Sequence, residues 1–168
     1  MNACIDPLVS SKSVDFEDKY IEYIKINLPE ILPSNYEKDN RYPDDIFFLH
    51  KLVMNTYKHS ILEEYIELYL NNCQNKTMVN DPIEDGYTLL MSACINSNTS
   101  STNNTVKILI KAGANLDAQD KKKYTALIHA CKQINCSSTP ETAMILINAG
   151  ANVNISTSMW YGYTALDS

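Results

Sequence analysis

The residues of this chain best suited to chemistry lie in one short stretch: His129, Cys131 and Cys136. An imidazole near a thiol is the pattern of an activated nucleophile, in which the base takes the thiol proton. The same side chains are also of the kind that hold zinc. Neither reading completes itself. A zinc centre needs four converging ligands, and Cys131 falls at the spacing of an apolar helix face, which assigns it to packing. The paired acids Asp44-Asp45 and Glu63-Glu64 could form an acid–base couple, but as adjacent acids near helix ends they read as solvated. No phosphate-binding loop is formed, because the four glycines share a different use, described below. The sequence therefore predicts no enzyme: no catalytic residue, no metal and no cofactor.

Charge narrows the partners. With 20 acidic against 14 basic side chains the net charge is -6, whereas binding a phosphate backbone requires clustered Lys and Arg that displace counterions. The one basic run, Lys121-Lys122-Lys123, is short enough to be a solvated turn tip. Nucleic acid is not expected. No stretch nears the roughly 20 apolar residues of a membrane span, and the amino terminus has neither a basic leader nor an apolar signal core. A membrane is therefore not expected, and an intracellular, cytoplasmic location is. Five scattered cysteines fit free thiols in a reducing compartment. Arg41 is the sole arginine, and Asn, Ile and Tyr are abundant, a bias that suggests an AT-rich genome.

The elements that must position any functional group are repeated. YTLLMSAC (87–94) matches YTALIHAC (124–131), and VKILIKAGANLDAQD (106–120) matches AMILINAGANVNIST (143–157). Tyr87 to Tyr124 and Gly113 to Gly150 are both 37 residues apart, and a third copy opens at Tyr163 with YTALDS. One offset shared by both ends of a unit makes self-similarity the leading feature. Gly86 and Gly162 precede a Tyr-Thr pair, where a tight turn needs positive φ. Gly113 and Gly150 follow apolar runs, where a helix ends on a left-handed residue.

Each unit reads as helix, loop, helix, turn. Leu89, Leu90, Ala93 and Cys94 recur at helical spacing. The second helix begins near Asn104 and carries Val106, Ile108, Leu109 and Ile110. In the next unit Thr139-Pro140-Glu141 is a helix start, with a hydroxyl cap, proline at the first position and an acid in the first turn. Small Ala93 and Ala130 allow close approach of neighbouring units, and Cys94 and Cys131 take matching small, buried sites. The loops 95–104 and 132–140 read as polar insertions, tolerated because added loop length costs little closure entropy.

Upstream the pattern is weaker. IFFLHKLV (46–53) reads as another first helix. Ser60 to Glu63 forms a capping box, and Tyr65, Ile66, Tyr69 and Leu70 continue a helical stripe. Phe16, Tyr20, Ile24 and Leu28 form an amphipathic helix that Pro29 ends, placed as a cap over the first unit.

The units resemble the ankyrin repeat. Thr88, Leu90, Ala93 and Gly113-Ala114-Asn115 match the family pattern in one unit. Thr125, Leu127, Ala130, Gly150-Ala151-Asn152 and Asn154 match in the next, and Gly162, Thr164 and Leu166 in the partial third. Departures are also present. The family's proline is replaced by Leu89, Ala126 and Ala165, Lys123 stands at a turn-glycine position, and His129 lies one place after the family histidine. The family period is about 33 residues, so the extra residues fall in the two interhelix loops. Similar ankyrin proteins occur in large DNA viruses and other AT-rich genomes.

The resemblance implies an all-α ankyrin solenoid of stacked helix-turn-helix units. Its parts are a helical cap over 1–45, a degenerate repeat over 46–80, repeats over 81–118 and 119–155, and a partial repeat over 156–168. It also implies a non-enzymatic scaffold that binds a protein partner through its finger turns and the inner face of its first helices. Carried over position by position, that surface comprises Tyr87 and Ser92 beside Glu84 and Asp85, then Lys121, Lys122, Tyr124 and His129, then Trp160, Tyr161 and Tyr163. The alternative is the recognition arm of a larger multidomain enzyme or ubiquitin-ligase adaptor, cut at Ser168. A second alternative for Tyr87, Tyr124 and Tyr163 is that they stack on one another as part of the solenoid.

Overall fold

Threonine opens each helix of the two best-matched units. Thr88, Thr102, Thr125 and Thr139 stand in extended backbone, and each hydroxyl accepts from the amide three residues on, at 3.0–3.3 Å. Such caps satisfy a donor the helix cannot, at about 1 kcal/mol each. The computed structural model describes residues 20–27, 46–72, 77–157 and 164–165. Its helices are α1 (residues 20–27), α2 (Ile46–Val53), α3 (Ile61–Asn72), α4 (Leu89–Ile95), α5 (Asn103–Lys111), α6 (Ala126–Lys132) and α7 (Pro140–Asn148). No described residue belongs to a strand.

The helices α2, α4 and α6 pack side by side in one layer, and α3, α5 and α7 in a second, each first helix lying against its own second helix. This is an all-α repeat solenoid. Ala93 and Ala130 are wholly buried, and the absence of bulk there lets α4 and α6 make the broadest contact of the array. Cys94 and Cys131 are not matched in burial: Cys94 has no exposure, while Cys131 is half-exposed. In the 46–80 segment Phe48, Leu49, Leu52 and Val53 of α2 and Leu62, Tyr65, Ile66 and Tyr69 of α3 are all buried. At the second-helix ends, Ala114 N–H donates to the Leu109 carbonyl and Ala151 N–H to that of Leu146, both at 3.0 Å, around left-handed Gly113 and Gly150. That is the paired hydrogen bonding of a glycine C-cap.

Two sets of side chains join one unit to the next. On the turn side, Asn80 Oδ1 accepts from Asn115 N–H at 2.7 Å, and Asp117 Oδ1 accepts from Asn152 N–H at 2.9 Å. Asn80, Asp117 and Asn154 are spaced by 37 residues, so the register of the clear units continues upstream into the 46–80 segment. On the loop side, buried hydroxyls meet across units. Thr105 donates to Thr56 at 2.9 Å, Ser97 and Thr142 lie 2.6 Å apart, and Thr142 donates to Asn103 Oδ1 at 2.7 Å. The loops read as solvated insertions thus carry buried polar joints, each satisfied within the array as burial requires.

Glu63 also departs from expectation. Its carboxylate accepts from Thr102 Oγ1 and, at 2.6 Å, from Asn104 Nδ2 at the start of α5. A carboxylate is favoured where the amides of a helix N-terminus point outward, so the acid serves the next unit's helix as well as lying in the first turn of its own.

Residues 1–43 and 44–168 form two compact units. In the first, α1 buries Tyr20, Ile21 and Ile24 and exposes Glu22, Lys25 and Asn27, the amphipathic division the sequence predicts. Phe16, Leu28 and Pro29 lie outside the described residues, as do Trp160, Tyr161, Gly162 and Tyr163. No described helix is long and apolar enough to cross a membrane.

Candidate functional site

Each unit begins with a finger turn closed by a backbone hydrogen bond, from Ile83 N–H to the Tyr87 carbonyl at 2.8 Å and from Asp120 N–H to the Tyr124 carbonyl at 3.0 Å. The fingers touch. Lys121 N–H donates to the Asp85 carbonyl at 3.0 Å, and a Cβ built on Gly86 would come within 3.3 Å of Lys121 N. Glycine at 86 therefore serves both the positive φ of 80° and the close approach of the next finger. Its counterpart Lys123 adopts φ 64° with a side chain, a conformation that costs on the order of 1 kcal/mol. Above this contact Lys121 Nζ and Asp85 Oδ1 pair at 3.1 Å, but both are largely exposed, so the pair contributes little.

Beneath the second finger lies the most organised polar group of the described chain. Asp120 is 3% exposed; its Oδ1 accepts from Lys122 N–H at 2.8 Å and Tyr124 N–H at 2.9 Å, and its Oδ2 meets His129 Nε2 at 2.8 Å. Burial pushes the His129 pKa below its ordinary value, the Asp120 carboxylate opposes that shift, and the ammonium groups of Lys132 and Lys122 add to it. The neutral ring donates its Nε2 proton to Asp120. Tyr87 leans over this imidazole at 5.1 Å between centroids, and Tyr124 meets it edge-on at 5.3 Å. Lys132 Nζ lies 4.4 Å from the Tyr124 ring centroid and donates to its hydroxyl at 3.0 Å. Burial and the nearby carboxylates of Asp120 and Asp85 raise the Tyr87 pKa.

The expected contact residues fall into three groups. Lys121 and Lys122 are exposed, and Tyr87 and Tyr124 are half-buried with their rings gathered on His129 rather than on each other. Ser92 and His129 hold equivalent positions one unit apart and are each only 6% exposed, so neither offers much surface; His129 supports the second finger from within through Asp120. The reason is that their helix positions face the packed layer under the turn. Trp160, Tyr161 and Tyr163 lie outside the described residues. Sequence reasoning did not single out Asp120 or Lys132. The signal for Asp120 is an acid opening the turn, where its carboxylate can hold amides two and four residues on; Lys132 gives none until α6 places it beside Tyr124.

Cys94 and Cys131 are poorly placed for nucleophilic work. Burial raises the pKa of Cys94 and of Cys131, away from the thiolate that reacts or binds metal. His129 meets Asp120 through Nε2, and no hydrogen bond joins its ring to a thiol among the described residues. Among the described residues no three His, Cys, Asp or Glu side chains converge as metal ligands.

Comparison with known proteins agrees with this architecture. No curated protein matches the chain significantly in sequence. Among solved structures, a chain of the complex between the predatory endopeptidase Bd0816 of Bdellovibrio bacteriovorus and the immunity protein Bd3460 matches with a TM-score of 0.52 and 25% identity, covering 70% of this chain. The match spans 53% of that chain, about half its length. A family profile for ankyrin repeats, three copies, matches residues 49–157. Together with the stacked helix pairs and finger turns, that match makes this chain a member of the ankyrin-repeat family.

Proposed function

We propose that the chain is a non-enzymatic interaction module that grips a partner protein across its finger row and the neighbouring ends of α4 and α6. The observation that supports this most directly is exposure combined with fixed geometry. Asp120 ties down the turn from beneath, so Lys121, Lys122 and the free edges of Tyr87 and Tyr124 are presented with little ordering left to lose on binding. Tyrosines are strong interface anchors because they bury much area with few torsions. The structural likeness to a chain of the Bd0816–Bd3460 complex, itself an assembly of two proteins, is consistent with such a use. In sequence, Trp160, Tyr161 and Tyr163 extend the row by one further finger. The free thiols Cys94, Cys131 and Cys136 suit a reducing cytoplasm as the place of work.

The test is capture of partners by the full chain followed by titration of each captured protein. Tyr124→Ala combined with Trp160→Ala should weaken binding roughly tenfold or more while far-ultraviolet circular dichroism stays unchanged. Undiminished affinity for every partner would remove the finger row from the interface.

A further inference from the structure

Lys122 and Lys132 come from different elements, the finger turn and the end of α6, yet both ammonium groups act on the His129 imidazole. Neither has a carboxylate partner among the described residues, whereas Lys111 pairs with Glu67 and Lys121 with Asp85. The hydrogen bond and cation–π contact to Tyr124 hold Lys132 against the aromatic surface. On the preceding unit the half-buried Tyr87 faces the same imidazole, and no described side chain bonds its hydroxyl. Two cations without an ion-pair partner and a spare phenol thus stand together on a chain of net charge -6, with the Asp120 carboxylate buried beneath them and that of Asp85 taken up by Lys121.

We propose that the surface framed by Lys122, Tyr124, Lys132 and the Tyr87 hydroxyl docks an acidic, carboxylate-bearing segment of a partner protein. This rests on the finger-row reading above and adds the chemistry of the partner. Carboxylates meet the two ammonium groups and the phenol, while the segment's backbone lies on the tyrosine edges. Phosphate suits the place less well. The turn amides that could cradle it, Lys122 N–H and Tyr124 N–H, are already filled by Asp120 Oδ1. A continuous nucleic-acid backbone would run onto Glu84 and Asp85, both exposed on the adjacent finger, so the anionic part of the docked segment is short and ends before them.

Selection of a random peptide library against the full chain tests this. Asp and Glu should be enriched, and a selected peptide, synthesised with a fluorophore, should bind roughly tenfold or more weakly to the Lys122→Glu/Lys132→Glu variant. The Lys122→Arg/Lys132→Arg variant should stay within about twofold, and affinity should fall with added salt. Both positions are exposed, and thermal melts confirm that each variant folds. As an independent readout, the proton NMR titration midpoint of His129 should rise when the peptide is bound, because its carboxylates offset the two ammonium groups. Selected peptides without acidic bias that nevertheless depend on Tyr124 overturn the proposal and leave the finger-row reading standing. Peptides indifferent to both Tyr124→Ala and charge reversal overturn both. Tighter, charge-dependent binding of a fluorescent oligouridylate than of the peptide identifies a phosphate surface and overturns the choice of carboxylate.

Discussion

The Asp120 carboxylate and the His129 imidazole meet at 2.8 Å although nine residues separate them in sequence, and both are almost free of solvent. One oxygen of the acid holds two amides of the finger while the other reaches α6. Asp120 thus fastens the finger to the helical layer from beneath, beside the contact of Lys132 with Tyr124.

The His129 pKa is lowered in the folded chain, so folding favours the neutral ring. Its contribution is complete above the ordinary histidine pKa of about 6.5 and is lost as the pH falls below that value toward the depressed folded one. Urea midpoints measured from pH 7.5 to pH 5 should fall more steeply for the wild type than for His129→Gln. His50, whose pKa burial also lowers, keeps a smaller residual slope in that variant.

Asp120→Ala removes the acceptor of three hydrogen bonds at a buried position. A loss of about 2–3 kcal/mol is expected in chemical denaturation. Asp120→Asn retains an acceptor for the turn amides and should cost less. Equal losses in the two variants would mean that the turn bonds carry no weight.

Lys123 adopts a conformation that glycine takes freely. Lys123→Gly should stabilise the chain by on the order of 0.5–1 kcal/mol, the relief of strain being reduced by the greater freedom of an unfolded glycine. Lys123→Val, branched at Cβ, should destabilise it. A thermal melt of the two variants beside the wild type checks the sign of each.

Thr142 is wholly buried and bonded to both Ser97 and Asn103 of the preceding unit. Thr142→Val, nearly the same shape, removes the donor to Asn103 Oδ1 and leaves Ser97 with Ser138 alone, and should cost about 1–3 kcal/mol. Adding Ser97→Ala should cost less than the sum of the two single changes. A double-mutant cycle showing strict additivity would mean that the hydroxyls do not interact energetically.

The helices and their ends were legible in the sequence because local chemistry dictates them. The cap at Thr139, the apolar spacing and the left-handed glycines act within a few residues of each other, and α2, α5 and α7 fall close to where those signals put them. The lysine at position 123 was legible in the same way, as an intruder in a glycine position. What could not be read depends on contacts between units. Ser97, Ser101 and Ser138 look like solvated loop residues by type, yet stacking buries them, Ser97 against Ser138 and Thr142 and Ser101 against Thr56. Ser92 and His129 fall at positions carried over to the binding surface, and only the packing shows that they are covered. Asp120 becomes visible as a partner of His129 once the turn folds back onto α6.

The acceptor row of Asn80 and Asp117 closes each unit onto the backbone of its successor at a constant step. A seam that repeats the same acceptor-to-amide bond at both described joints lets a gene gain or lose whole modules by unequal recombination without inventing a new interface. With residues 81–117 excised, Asn80 would meet the amide of Asn152 as it now meets that of Asn115. Insertions of any other length have to be taken up away from this seam, and the interhelix loops, which hold the residues beyond the family's period of about 33, are where this array has accommodated them.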